Sequence, residues 1–131
     1  MIRILDAHGL MVFLEKEPGC KQVEEFLIEA VEKNAVLLMT TVNYGEVLYM
    51  MLRECGPERV KEIEQTIETM PIELVPVDVP LAREAARFKA SKKMSYADCF
   101  AAALAKQREG EVITGDREFR AVEGEVKVAW V

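Results

Sequence analysis

The sequence predicts one α/β domain built on a mostly parallel five-stranded sheet, and three observations carry that expectation. The chain has 131 residues, the size of a single compact domain. Half of the residues are hydrophobic and only seven are Gly and five Pro, which excludes a disordered, collagen-like or low-complexity chain. The apolar pattern switches repeatedly between short strand-like runs and helical stripes, without a linker or a repeat, so residues 1–131 read as one unit.

The elements follow in order. Ile2–Leu5 reads as the first strand, and a short helix around Leu10–Leu14 stops before Pro18-Gly19. Val23, Phe26, Leu27, Ala30 and Val31 recur at i, i+3, i+4, i+7 and i+8, which places one apolar stripe along a helix. Ala35–Met39 is a continuous apolar run, the pattern of a parallel strand covered on both faces. Tyr44, Val47, Leu48, Met51 and Leu52 predict the next helix. Val60, Ile63, Ile67 and Met70 predict another, opened by Pro57, whose missing N–H costs nothing in a first turn. Ile72–Val75 is a strand; Leu81, Ala85 and Phe88 mark a helix, as do Tyr96, Cys99, Phe100, Ala103 and Leu104. Val112–Thr114 is the fourth strand. Val126–Trp130 alternates apolar and polar residues, as a half-exposed edge strand does. The order β-α-α-β-α-α-β-α-α-β-β implies right-handed crossovers between parallel strands.

Composition removes several function classes. The net charge of −6 excludes a globally basic nucleic-acid binder, though not a local basic strip. No apolar run reaches the ~18 residues of a membrane span, and no basic segment followed by a long apolar stretch opens the chain, so neither a membrane nor an export signal is expected. Cys20, Cys55 and Cys99 are odd in number and widely spaced, which fits reduced thiols in a cytoplasmic protein. One His and two Ser remove most zinc and triad chemistries, and neither GxGxxG nor GxxxxGK[ST] occurs.

The acids are more informative. Only four of the 23 are Asp, namely Asp6, Asp78, Asp98 and Asp116. Glu46 is the only charge between Asn34 and Leu52, and Asp98 the only one between Lys93 and Lys106; Asp6 stands alone but for His8 between Arg3 and Glu15. Lone carboxylates in apolar surroundings are costly unless they meet a partner, hydrogen bonds or a metal. Asp6 follows the first strand, Asp116 follows the fourth, and Glu46 and Asp98 are expected in first helical turns. In an open parallel sheet those strand ends share one rim, where sites form. Singly, each acid also fits a structural role. Ser95-Tyr96-Ala97-Asp98 matches a capping box and Asn43-Tyr44-Gly45-Glu46 comes close to one, while Asp116 fits a cap of the short helix around Phe119 and Asp6 a strand terminus. Capping and metal binding are compatible, because one oxygen can accept an N–H while the other faces the rim. Asp78, between prolines, reads as structural. Hard oxygen ligands without a His or Cys cluster suit Mg²⁺ or Mn²⁺, and such an ion completed by a phosphate implies phosphodiester hydrolysis by a metal-activated water.

Four segments carry a family resemblance: Ile4-Leu5-Asp6-Ala7, Asn43-Tyr44-Gly45-Glu46-Val47, Ser95 through Ala105, and Val112-Ile113-Thr114-Gly115-Asp116-Arg117-Glu118-Phe119. In this order and spacing the chain resembles the PIN-domain ribonucleases, of the VapC type that are toxins of toxin–antitoxin pairs. The resemblance runs from end to end and implies a three-layer α/β/α sandwich and a Mg²⁺- or Mn²⁺-dependent endoribonuclease. It implies that Asp6, Glu46, Asp98 and Asp116 form an acidic metal-binding quartet, with Asp6 and Asp98 as direct ligands and Thr114 as a supporting polar group. It also implies an RNA substrate, a homodimer and a cognate antitoxin. His8 departs from the family pattern two residues after the first Asp; it reads as a packing or supporting residue rather than a catalytic base. A PIN fold serving mainly as a binding module, with little or no cleavage, is the alternative.

The basic strip Arg83, Arg87, Lys89, Lys92 and Lys93, with Arg117 and Arg120 after Asp116, is the candidate RNA contact; an ordinary solvated helix face is the other reading. Met11, Phe13 and Leu14, with Tyr49, Met50 and Met51, offer more apolar surface than one buried stripe per helix requires. They mark either a partner surface or helices buried all round.

Overall fold

Five short strands form one all-parallel sheet in the computed structural model, which describes residues 1–131. They are β1 (Arg3–Leu5), β2 (Leu37–Thr40), β3 (Ile72–Val75), β4 (Glu111–Thr114) and β5 (Lys127–Trp130), in the spatial order β3-β2-β1-β4-β5. The expected strands are therefore all present, and the sheet is parallel throughout rather than mostly so. Register is set by pairs such as Ile4 opposite Leu38 and Val112.

Alternation along the strands divides the core into two layers. Ile4, Leu38 and Val112 face one side, where they pack with α4 (Val79–Ser91) and α5 (Tyr96–Arg108). Leu5, Leu37, Met39 and Ile113 face the other, against α1 (Ala7–Leu14), α2 (Cys20–Glu32) and α3 (Thr41–Glu68). The three-layer α/β/α arrangement follows directly. Ala101, Ala102, Ala103 and Ala105 are all buried, and these small side chains let α5 lie close to both the sheet and α4.

Three readings of the periodicity need correction. The helix expected at Leu10–Leu14 begins at Ala7, because Asp6 caps it. The two expected helices around Tyr44 and Val60 run on as one element, broken at Gly56, where φ of 82° and ψ of 172° suit glycine and Pro57 restarts the helix. Val31, Leu52 and Tyr96 sit at the edges of their stripes and are exposed. At the rim of the sheet opposite the site, Arg3 bridges Glu111 and Glu29, each at 2.8 Å, and stacks 4.8 Å from the Phe26 ring centre.

The position of β1 decides where function can sit. The chain leaves β1 toward β2 and β3 on one side, and places β4 and β5 on the other. The crevice beyond the carboxyl ends of β1 and β4 is therefore the topological switch point, where open parallel sheets bind ligands.

Candidate active site

Asp6 ends β1 and caps α1, its Oδ1 accepting the Gly9 N–H at 2.7 Å. A Cβ on Gly9 would lie 2.8 Å from the Leu5 side chain and 3.1 Å from the Ile113 carbonyl, so glycine eases the close approach of α1 to the sheet. The other carboxylate oxygen accepts the Thr114 hydroxyl, and that hydroxyl in turn accepts the Asp116 N–H at 2.9 Å. Thr114 thus joins the ends of β1 and β4 through one buried oxygen. Asp116 caps the 3₁₀ helix Arg117–Val122 by accepting the Glu118 N–H at 3.0 Å.

Asp98 arrives from the opposite layer. Ser95 caps α5, its hydroxyl accepting the Asp98 N–H at 3.2 Å, as the expected capping box requires. The reciprocal half of the box differs: Ser95 N–H donates to Glu118 Oε1 at 2.9 Å, not to Asp98. Glu46 needs a larger correction. The cap of α3 is Thr40, whose hydroxyl accepts the Asn43 N–H at 3.0 Å, so Glu46 lies in the second turn and caps nothing. Asn43 instead points its amide across to the Ala97 carbonyl at 3.1 Å, tying the start of α3 to the first turn of α5.

These segments enclose a cleft of about 390 Å³ lined by Glu46, Asp98 and Asp116, with Ala7, His8, Met11 and Met50. Asp6 lies beneath its floor, fully buried. The closest group of ligand atoms is not the one centred on Asp6: carboxylate oxygens of Asp98, Asp116 and Glu118 lie within 4.8 Å of one another. Glu15, Glu17 and Glu54 extend the acidic lining outward. None of these four Glu was singled out from sequence. Glu118 carried a signal all the same, being the acid two residues after Asp116; the other three stand among many surface Glu.

The electrostatics are those of an uncompensated site. Burial raises Asp6 to about 7 against the opposing bonds from Thr114 and Gly9. Burial, then the charges of Asp116 and Asp6, raise Asp98 to about 8. Burial and Asp116 also raise Glu46, with Asn43 opposing. A hydrogen bond with the Glu54 carboxyl, followed by burial, raises Glu15 to about 7. Every ion pair in the molecule lies elsewhere. Asp98 is only 6% exposed, forms no ion pair, and has carboxylate oxygens of Asp116 and Glu118 within 4.8 Å of its own. Converging carboxylate oxygens with no His or Cys among them suit a divalent metal ion, hard ones such as Mg²⁺ or Mn²⁺ above all.

His8 is exposed rather than packed, and its Nδ1 accepts the Gly115 N–H at 3.2 Å, which steadies the turn before Asp116. The basic strip is largely spoken for. Arg87 pairs with Glu84 and Glu125, Lys92 with Glu125, and Lys106 joins both acids, while Lys89 donates to the Met94 carbonyl. Arg83, Lys93, Arg117 and Arg120 are exposed and form no ion pair. Of the apolar candidates, Met11 and Met51 are buried, Phe13, Leu14 and Met50 are half-buried, and Tyr49 is exposed. Phe13, Leu14 and Met51 line a larger groove of about 850 Å³ between α1, α2 and the second half of α3, with Cys20, Ile63 and Met70.

Comparison with known proteins places the fold. Residues 3–125 match the family described as the PIN domain. No curated protein matches the sequence. Among solved structures, DNA-bound VapBC from Salmonella typhimurium is similar at a TM-score of 0.80 and 16% identity, covering 98% of this chain and 97% of that one. VapBC2 from Rickettsia felis bound to a promoter DNA fragment gives a TM-score of 0.81 at 13% identity, over 100% and 99%. VapC20 from Mycobacterium tuberculosis, a sarcin–ricin-loop-cleaving toxin, gives 0.74 at 15%, over 96% and 98%.

Proposed function

The chain belongs to the PIN-domain family, and from that premise we propose that it is a Mg²⁺- or Mn²⁺-dependent endoribonuclease, the toxin of a VapBC-type toxin–antitoxin pair acting in the cytoplasm. The observation that carries the reading is Asp98, buried with its carboxylate beside that of Asp116 and neither of them in an ion pair. An ion there would be held by Asp98 and Asp116, with Asp6 beneath them and Glu46 across the cleft. When bound, it supplies an activated water and neutralises charge developing on the phosphate.

The chain's own groups have separate tasks. Thr114 orients Asp6 and the Asp116 backbone through one hydroxyl. Glu46 lines the cleft half-buried with a raised pKa, so its carboxylate suits taking a proton from the attacking water. Arg117, adjoining Asp116, and Lys93, two residues before Ser95, are the free cations placed to meet RNA phosphates. The apolar groove between α1, α2 and α3 suits an amphipathic antitoxin segment, and a cationic tail would complement the acids nearby.

Incubation with a structured RNA separates the two readings of the fold. Cleavage with Mg²⁺ or Mn²⁺ that stops with chelator is expected. RNA binding without cleavage under any divalent ion would make the protein a binding module.

A further inference from the structure

We infer that Glu118 is a positioning residue for the metal site, acting through the first turn of α5 to leave Asp98 free; the inference rests on the metal-site reading above. In a capping box the cap side chain accepts the N–H of the fourth residue, and the fourth side chain reaches back to the cap's own N–H. Here Ser95 is the cap and Asp98 the fourth residue. The first bond is made, Asp98 N–H to Ser95 Oγ at 3.2 Å. The second would bend the Asp98 carboxylate back toward Ser95, away from the cleft. Glu118 makes that bond instead, its Oε1 accepting the Ser95 N–H at 2.9 Å from a different element.

The consequence is local and specific. The helix start is satisfied without using Asp98, whose carboxylate then faces Asp116 and lines the cleft while 94% buried. Glu118 is itself held in place, because its own N–H donates to Asp116 Oδ1 at 3.0 Å. Asp116, Glu118, Ser95 and Asp98 therefore form one chain of contacts, in which the two site acids are linked through the residue that caps for one of them. Removing the Glu118 side chain frees the exposed Ser95 N–H and offers Asp98 the ordinary box geometry.

Three proteins and two readouts test this: wild type, Glu118→Ala and Glu118→Gln, each assayed for Mn²⁺ affinity by calorimetry and for Tm without metal. Glu118→Ala is expected to weaken Mn²⁺ binding by about tenfold or more, the usual scale for losing a group that orients a ligand. Its Tm should stay close to wild type, because Asp98 replaces the lost cap. Glu118→Gln keeps an oxygen that accepts the Ser95 N–H and should recover most of the affinity. If Glu118→Gln is as weak as Glu118→Ala, the charge of Glu118 acts on the ion directly and the positioning role is overturned. If Glu118→Ala binds Mn²⁺ normally and merely melts earlier, Glu118 is only a cap. Wild type that binds no Mn²⁺ would instead remove the metal-site reading itself.

Discussion

At the scale of single residues, Thr114 shows how much depends on one hydroxyl. It donates to Asp6 in a buried setting and accepts from the partly buried Asp116 N–H. Thr114→Val keeps the shape and removes both bonds, at an expected cost of about 1–3 kcal/mol for the groups left unpaired. Because the Thr114 bond lowers the Asp6 pKa, its loss should move the pH midpoint of Mn²⁺ binding upward; an unchanged midpoint would mean that Asp6 does not take part. The raised carboxyls also set a pH dependence. Asp6 and Asp98 stand at about 7 and about 8, well above the ordinary 3.8. Between pH ~4 and those values the folded protein holds more protons than the unfolded chain, so stability falls as pH rises. The metal-free Tm should be higher at pH 6 than at pH 8.5, while Mn²⁺ affinity should run the other way, since binding displaces those protons. A Tm that rises over this interval would contradict the buried, uncompensated acids. Asp6, Glu46 and Asp98 stood out in the sequence because they were alone in apolar segments, and Asp116, flanked by charges, only because it follows the fourth strand. Glu118 did not, because its neighbours Arg117 and Arg120 make it look like surface.

At the scale of elements, strand and helix positions were legible because each buries one stripe or one alternating face. What periodicity could not reveal were the junctions. The cap of α3 fell at Thr40 and not Asn43, since Asn43 is drawn into the packing against Ala97 of α5, a contact between segments far apart in sequence. The fate of the basic strip was hidden for the same reason. Its partner Glu125 comes from the segment before β5, and it joins Arg87, Lys92 and Lys106 across α4 and α5. These cations neutralise acids of their own fold. Reversing Arg87 and Lys92 to Glu should therefore lower Tm and leave the salt dependence of RNA binding unchanged. Reversing Arg117 and Lys93 should weaken RNA binding and flatten its salt dependence, with little change in Tm. The opposite pattern in filter-binding titrations would place the RNA on α4.

At the scale of the whole molecule, the fold brings four distant segments to one switch point and leaves apolar surface elsewhere. Tyr49 and Leu52 are nearly half exposed, three residues apart on α3, and Tyr96 is exposed on the neighbouring α5. We expect the exposed Tyr49 and Leu52 to meet a second copy of the chain, so sedimentation should show a dimer that Leu52→Glu dissociates; a monomer at all concentrations would remove that expectation. The groove lined by Phe13 and Leu14 is separate, so Phe13→Glu should abolish capture of an antitoxin peptide while cleavage persists. The central claim is that the buried acids are one metal site rather than a set of helix caps. Thermal unfolding with and without Mn²⁺ tests it most directly, because a ligand bound only by the folded state raises Tm. Wild type should gain stability with Mn²⁺, and Asp98→Asn should lose that gain while its metal-free Tm equals or exceeds wild type, since repulsion is relieved. An Asp98→Asn protein that melts earlier yet responds to Mn²⁺ as wild type does would contradict the account.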